Sequence, residues 1–526
     1  MTHQPKRMGL HYSIFEEFIT ENRIYVDKTN HIYNLITAPN RKHFYFVSRP
    51  RRFGKSLFIS TLKSLFAGKK ELFKEYWIGK NGNYDWQTHP VIHLDFGKIG
   101  HGTPQEFKQN FCLALQKIAQ NNNWKDLKIS TPENMFDDLV EHLKQHGPVV
   151  LLIDECDKPI VDHIANIPIA EENRKILATF YATVKGLEEH WRAIFITGVS
   201  KFAKTSLFSG LNNLKELSLD PIAAELFGYT EQELIANYPS QIDSLAQHVG
   251  KTREEVLTDL KNWYDGYRFS QDMQKPLMYN PLSVTTCFDN KAFANYWFKT
   301  GSPGFLIALL RQKGIHLEIN APIEMSMKGF DTIDIHDIPL FALLLQTGYL
   351  TIVDFDSSDN IFTLDYPNQE VRESFKDYLV RAFAYTTPDT LEMELVRMRR
   401  ALLHKDFATF CNAVKILFAG IPYNLHIPRE SYYHSLIHFM FDMLGMRPQS
   451  EVASSRGRSD LVLETASTIF IFEFKYDSSA QEALDQIIQK KYYEKYMRDK
   501  KEVILAGINL NFKDKGVEFE WVQHNL

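Results

Sequence analysis

From residue 43 to about 219, short apolar runs of strand length alternate with longer stretches whose apolar positions recur at helical spacing. That alternation builds a parallel α/β sheet. The strand runs are HFYFVS (His43 to Ser48), VIHLDF (Val91 to Phe96), VVLLID (Val149 to Asp154), AIFITG (Ala193 to Gly198) and LKELSL (Leu214 to Leu219), and they predict a five-strand, doubly wound core within 1–225. Past Pro221 a polar, helical pattern carries the aromatic cluster Asn262 to Phe269 and reads as a helical lid over 226–330. Between Ile333 and Ala384 the order helix, strand, turn, strand, helix predicts a winged-helix-like connector, 331–389. The remainder, 390–526, reads as a helix (Arg429 to Leu444), strands (Gln449 to Ser454, Ser459 to Glu464, Thr468 to Tyr476), a helix (Ala480 to Arg498) and a strand (Glu502 to Asn509), a second α/β domain.

The 526 residues correspond to about three or four domains. With 44% hydrophobic and 24% charged residues, the chain has none of the bias of disorder. A formal charge of -5 removes any global positive field, so contact with a nucleic acid must be local. Cys112, Cys156, Cys287 and Cys411 are scattered, with no C-x-x-C pair and no Cys/His zinc spacing, which fits a reduced, cytoplasmic protein. The amino terminus lacks an apolar signal core and no run reaches the length of a membrane span, so no membrane partner is expected.

Two constellations carry chemistry. After the first strand comes Ser48-Arg49-Pro50-Arg51-Arg52-Phe53-Gly54-Lys55-Ser56, then a helix. Gly-Lys-Ser at a helix start suits phosphate binding: backbone N–H groups and the helix dipole cradle the phosphates, the lysine reaches them and the hydroxyl ligates Mg²⁺. The usual first glycine of such a loop is Arg49 here. Arg49, Arg51 and Arg52 would contact phosphates, meet a partner subunit or form a solvated basic turn. The run Val149 to Ile153 ends in Asp154-Glu155, where ligands of open α/β sheets bind. Asp154 would hold Mg²⁺ and Glu155 would polarise the attacking water; the plainer reading is that both cap the next helix. A strand run between loop and acids suits ATPases with an additional strand between the two motif strands. Thr197 and Ser200 stand where a γ-phosphate sensor would sit, or are ordinary strand-end hydroxyls.

The second constellation is Gly457-Arg458-Ser459-Asp460, then Phe472-Glu473-Phe474-Lys475. Side chains alternate along a strand, so Glu473 and Lys475 share one face and Phe470, Phe472 and Phe474 the other. If the two strands pair antiparallel through a turn near Ala466, Asp460 meets Glu473 and Lys475. The two carboxylates would hold Mg²⁺ or Mn²⁺, and Lys475 would orient or deprotonate a water attacking phosphorus. An exposed Glu-x-Lys ion pair is the alternative. Glu430, Glu451 and Gln486 are further candidates for the site.

The motifs Tyr25-Val26-Asp27-Lys28-Thr29, Arg49 to Ser56, Leu152 to Glu155, Gly198 to Phe202 and Trp263-Tyr264-Asp265-Gly266-Tyr267 resemble a bacterial AAA-ATPase-like family. Its members end in a PD-(D/E)XK, restriction-endonuclease-like domain. Asn280-Pro281, Tyr296-Trp297, Gln346 to Tyr349 and Pro367-Asn368 recur in order, so the resemblance covers nearly the whole chain. It implies a degenerate, arginine-containing phosphate loop; together with the motif reading above, this makes Arg52, Gly54, Lys55, Ser56, Asp154 and Thr197 the candidate residues at ATP. It also implies a nuclease core of Asp460, Glu473 and Lys475, with Ser459 where the superfamily name has proline. DNA is the favoured substrate and RNA stays open; a homo-oligomer is compatible. The expectation is an ATPase that gates a Mg²⁺-dependent nuclease. The competing expectation is a nucleotide-switched binding protein whose nuclease-like domain only grips DNA or a partner.

Overall fold

The computed structural model describes residues 6–9, 12–39, 43–164, 166–200, 213–298, 306, 322–326, 339–383, 388–419, 437, 440, 441, 446, 449–454, 457–497, 501–513 and 516–526. Two compact units are present, Met1–Phe305 with Pro322–Val371, and Leu306–Ala321 with Arg372–Leu526.

The first unit is built on strands β1 (His43–Ser48), β2 (Val91–Asp95), β3 (Val149–Asp154), β4 (Trp191–Gly198) and β5 (Lys215–Glu216). They form one parallel sheet in the order β2-β3-β4-β1-β5. The loop strand and the acid strand are therefore separated by β4, while the run that lies between them in sequence, β2, takes the edge. β3 is buried at every position, as its unbroken apolar run requires, whereas β2 alternates half-buried and buried residues. β5 is shorter than its apolar run predicts. Leu217 N–H still donates to Phe46 O, and then Ser218 turns its hydroxyl to Ser48 and its carbonyl to Arg49.

Crossover helices Pro104–Asn121 and Pro132–Leu143 start where threonine is followed by proline; Thr103 and Thr131 accept from the N–H groups of Glu106 and Asn134. The helical region contains Glu231–Asn237, Pro239–Val249, Arg253–Tyr264 and Pro281–Asn290, the first and third opened by capping boxes. Tyr238, Ile242, Leu260, Tyr264 and Val284 form its core, which also takes in Ile24 and Val26 from near the amino terminus. Strand β6 (Ile323–Ser326) joins the expected hairpin of β7 (Thr351–Asp356) and β8 (Ile361–Asp365) by pairing with β8, giving three strands where two were predicted. Helices Leu340–Thr347 and Gln369–Phe383 flank the hairpin.

In the second unit, β9 (Gln449–Ser454), β10 (Gly457–Glu464), β11 (Thr468–Tyr476), β12 (Glu502–Lys513) and β13 (Gly516–Asn525) form a mixed sheet in the order β13-β12-β11-β10-β9. Only β11 and β12 are parallel; the other pairs are antiparallel. On one side Phe472 packs on Phe410 and Phe441, and Phe470 on Phe407. On the other, Ile469 and Ile471 meet Leu484 and Ile487 of the helix Ala480–Lys490 and Tyr492. That helix stops eight residues short of the predicted Arg498, because Lys491 takes a left-handed conformation at φ 53°. The predicted helix Arg429 to Leu444 lies almost wholly outside the described residues. Among the described residues no helix is long and apolar enough to cross a membrane.

Candidate functional sites

β1 delivers the phosphate loop to the helix Lys55–Phe66. Gly54 is its N-cap at φ 90°, a conformation glycine adopts without strain, and Ser56 is exposed in the first turn. Lys55 is buried, and Nζ donates to Arg49 O (2.8 Å) and Pro50 O (2.9 Å), curling the loop around its own amine. Burial pulls its pKa down to about 8, against the opposing pull of Asp154, Glu155 and Asp157. Arg52 is exposed, with the loop backbone at φ 70°. Phe53 is buried edge-on against Tyr267 and Phe269.

Arg49 is none of the three things expected of it. Arg49 is 1% exposed, and its guanidinium donates to Ser48 O, Ser218 O and Ala223 O and lies 4.3 Å from the ring centre of Phe269. Desolvation lowers its pKa to about 9. The residue in the first-glycine position ties the loop to the chain beyond β5.

At the carboxyl end of β3, Asp154 Oδ1 accepts from the Thr197 hydroxyl at 2.5 Å and from Glu155 N–H at 3.1 Å. Thr197 is fully buried on β4, so its geometry is that of a residue orienting the acid rather than of a sensor facing a phosphate. Ser200 likewise gives its hydroxyl and N–H to Asp157, which also accepts from Val199 N–H. Sequence reasoning passed over Asp157, although three acids within Asp154-Glu155-Cys156-Asp157 were a visible signal. Glu155 sits at φ 53°, turned toward Gly97; desolvation raises its pKa, and Lys158, 4.0 Å away, opposes this. A buried amine, a helix N-terminus and two acids at one end of the sheet suit a phosphate chain and a hard cation.

In the second unit the register pairs Leu461 with Phe472 in antiparallel strands, which sets Asp460 beside Glu473. Phe474 N–H donates to Asp460 Oδ2 at 2.8 Å, and Asp460 N–H lies 3.4 Å from Glu473 Oε2. Lys475 Nζ is 3.7 Å from Glu473 Oε1, which also accepts from Gln486 Nε2. Asp460, Glu473, Lys475 and Gln486 are thus brought together. The side chains of Glu430 and Glu451 lie outside the described residues. Glu473 and Lys475 share the face of β11 under the helix Ala480–Lys490, Glu473 1% exposed and the Lys475 side chain 25% exposed. Among the described residues no group of three or more His, Cys, Asp or Glu is placed to hold a metal ion. The two hard carboxylates, fixed by backbone donors, form a pair that suits Mg²⁺ or Mn²⁺.

Comparison with known proteins finds two matching family models and a relative. A family model described as a predicted AAA-ATPase matches residues 9–208, and one for the PD-(D/E)XK nuclease superfamily matches 428–520. An uncharacterized protein in the vnfD 5′ region of Azotobacter chroococcum mcd 1 is 32% identical over 507 residues, 94% of each chain. This chain belongs to the AAA-ATPase-like family. Within this AAA-ATPase-like protein, the first match contains the phosphate loop and Asp154-Glu155, and the second contains Asp460, Glu473, Lys475 and Gln486.

Proposed function

We propose that the protein binds and hydrolyses ATP at Lys55, Ser56, Asp154 and Glu155 and that this controls a Mg²⁺-dependent DNA phosphodiesterase at Asp460, Glu473 and Lys475, acting in the cytoplasm. The observation that carries the reading is the meeting of Asp460, Glu473 and Lys475 across β10 and β11. When bound, the cation would polarise the phosphodiester and offset charge developing in the transition state. Asp460 and Glu473 would supply its protein oxygens, Gln486 would hold Glu473 in place, and Lys475 would orient or deprotonate the attacking water. At the other site Lys55 would meet the β and γ phosphates, Ser56 and Asp154 the accompanying Mg²⁺, and Glu155, its pKa raised by burial, would take the proton of the attacking water. Arg52, Gly54 and Thr197 complete this site: the loop backbone faces the phosphates, and Thr197 fixes Asp154.

The test is cleavage of single- and double-stranded DNA and of RNA, with Mg²⁺ or Mn²⁺, with and without ATP. Asp460→Ala and Glu473→Ala are expected to lower cleavage by at least about a hundredfold while the fold is retained; unchanged cleavage in both would sink the assignment. Lys55→Ala is expected to abolish both ATP binding and the effect of ATP on cleavage. A second reading, nucleotide-switched binding without cleavage, draws support from the near-complete burial of Glu473 against Gln486. Wild-type protein that binds DNA but cuts none of these substrates would favour it.

A further inference from the structure

Three consecutive carbonyls of the phosphate loop carry hydrogen bonds. Those of Arg49 and Pro50 accept from Lys55 Nζ, and that of Arg51 accepts from the indole Nε1 of Trp297 at 3.1 Å. A trans peptide points its C=O and N–H in opposite directions. Fixing Arg51 O therefore fixes the Arg52 N–H on the far side of the same plane. Arg52 has φ 70°, an unfavourable conformation for an arginine that persists only when its surroundings enforce it. The loop's own lysine bonds to the first two planes, and the third is held by a residue 246 positions away.

Trp297 is itself anchored. Its N–H and that of Tyr296 donate to Glu370 Oε1 at 2.8 and 2.5 Å, and Glu370 Oε2 accepts from Ser283 Oγ at 2.7 Å. Glu370 is fully buried near the start of the helix Gln369–Phe383, where a glutamate would ordinarily be solvated, and its three partners are neutral donors. Burying an acid this way is costly, which is understandable if the turn it holds has a task. The Trp297 ring also packs on Tyr349 at 5.2 Å. The neighbouring Gly348 abuts Pro50: a Cβ on Gly348 would come 2.6 Å from Pro50 Cβ. One assembly thus bears on both Pro50 and Arg51.

We propose that Trp297, held by Glu370, is a positioning residue of the nucleotide site that sets the Arg51–Arg52 peptide so that the Arg52 N–H faces the phosphates. The proposal rests on the ATP-binding reading above. Because the indole N–H bonds directly to the loop, nucleotide binding changes the surroundings of Trp297 and should change its emission.

The experiment is titration of the full chain with ATP, followed by calorimetry and by tryptophan fluorescence, for wild type, Trp297→Phe, Glu370→Gln and Lys55→Ala. Trp297→Phe keeps an aromatic ring and removes the donor. It is expected to weaken ATP binding roughly five- to tenfold, the worth of one such hydrogen bond, and to remove the ATP-induced emission change. Glu370→Gln keeps the indole and one acceptor oxygen. It is expected to weaken binding by a smaller factor and to shrink the emission change; it carries the test if Trp297→Phe does not fold. Wild-type affinity in the folded variants, or an emission change that survives in Trp297→Phe, overturns the proposal. If wild type itself binds no ATP, as Lys55→Ala should not, the underlying reading fails instead.

Discussion

The phosphate loop and the carboxylate pair are held in place by opposite means. Asp460, Glu473 and Lys475 are set by one antiparallel register between neighbouring strands, and Gln486 comes from the next helix. The loop is held by groups far away in sequence: the Ser218 carbonyl and the side chains of Phe269 and Trp297, with Tyr349 and Glu370 behind Trp297. A site made by strand register needs few supporting residues, because the sheet fixes two side chains at once. A loop with two left-handed residues, Arg52 and Gly54, lacks such a scaffold and must borrow rigidity.

If that contrast is correct, distant substitutions should damage the loop most. Gly266 lies at φ 99°, and a Cβ there would come 1.9 Å from Pro367 O, beside the Asn368 side chain that donates to Asp265 O. Gly266→Ala is expected to destabilise the first unit by about 3 kcal/mol through backbone strain and overpacking, lowering its calorimetric unfolding temperature and weakening ATP binding. An unchanged transition would show that this bracing is dispensable.

Glu370 gives the next effect. Burial raises its pKa from the usual 4.5 to about 7. The folded state therefore holds this proton more tightly than the unfolded chain, so the associated stability is fully present below about pH 4.5. It falls as pH rises to about 7, by up to about 3 kcal/mol. Urea titrations of wild type and Glu370→Gln across this window should show the fall only in wild type; parallel curves would mean that Glu370 does not titrate there.

The smallest effect belongs to the register-built site. Gln486→Ala removes a neutral donor from Glu473 and leaves the strand pairing intact. It is expected to lower metal-dependent cleavage about tenfold, as is usual for a residue that orients a metal ligand, with no change in unfolding temperature. A complete loss would place Gln486 among the residues essential to the chemistry and narrow the contrast between the two sites.

Legibility in the sequence follows the same division. β1 to β4, the helix after Lys55 and the pairing of Asp460 with Glu473 follow from local periodicity, which requires no knowledge of distant partners. β13 could have been found as well, since Val517, Phe519 and Trp521 alternate with polar residues. The buried role of Arg49 could not: in Arg49-Pro50-Arg51-Arg52 nothing local marks the one whose partners are the carbonyls of Ser218 and Ala223. Glu370 has the sequence look of a helix-start glutamate, and only the fold reveals that it holds Trp297. Asp157 shows the intermediate case, in which the acid was visible and its acceptor role was not.

The discontinuity of the first unit has a consequence for synthesis. Its two segments, Met1–Phe305 and Pro322–Val371, leave the ribosome with a stretch of the other unit between them. Every motif residue of the proposed nucleotide site has then been translated well before Gly348 and Glu370 appear. A nascent chain, or a fragment ending at residue 225, has the loop with its Ser218 and Ala223 contacts but lacks Phe269, Trp297, Gly348 and Glu370. Nucleotide affinity should therefore arrive late in translation, when the helix bearing Glu370 emerges.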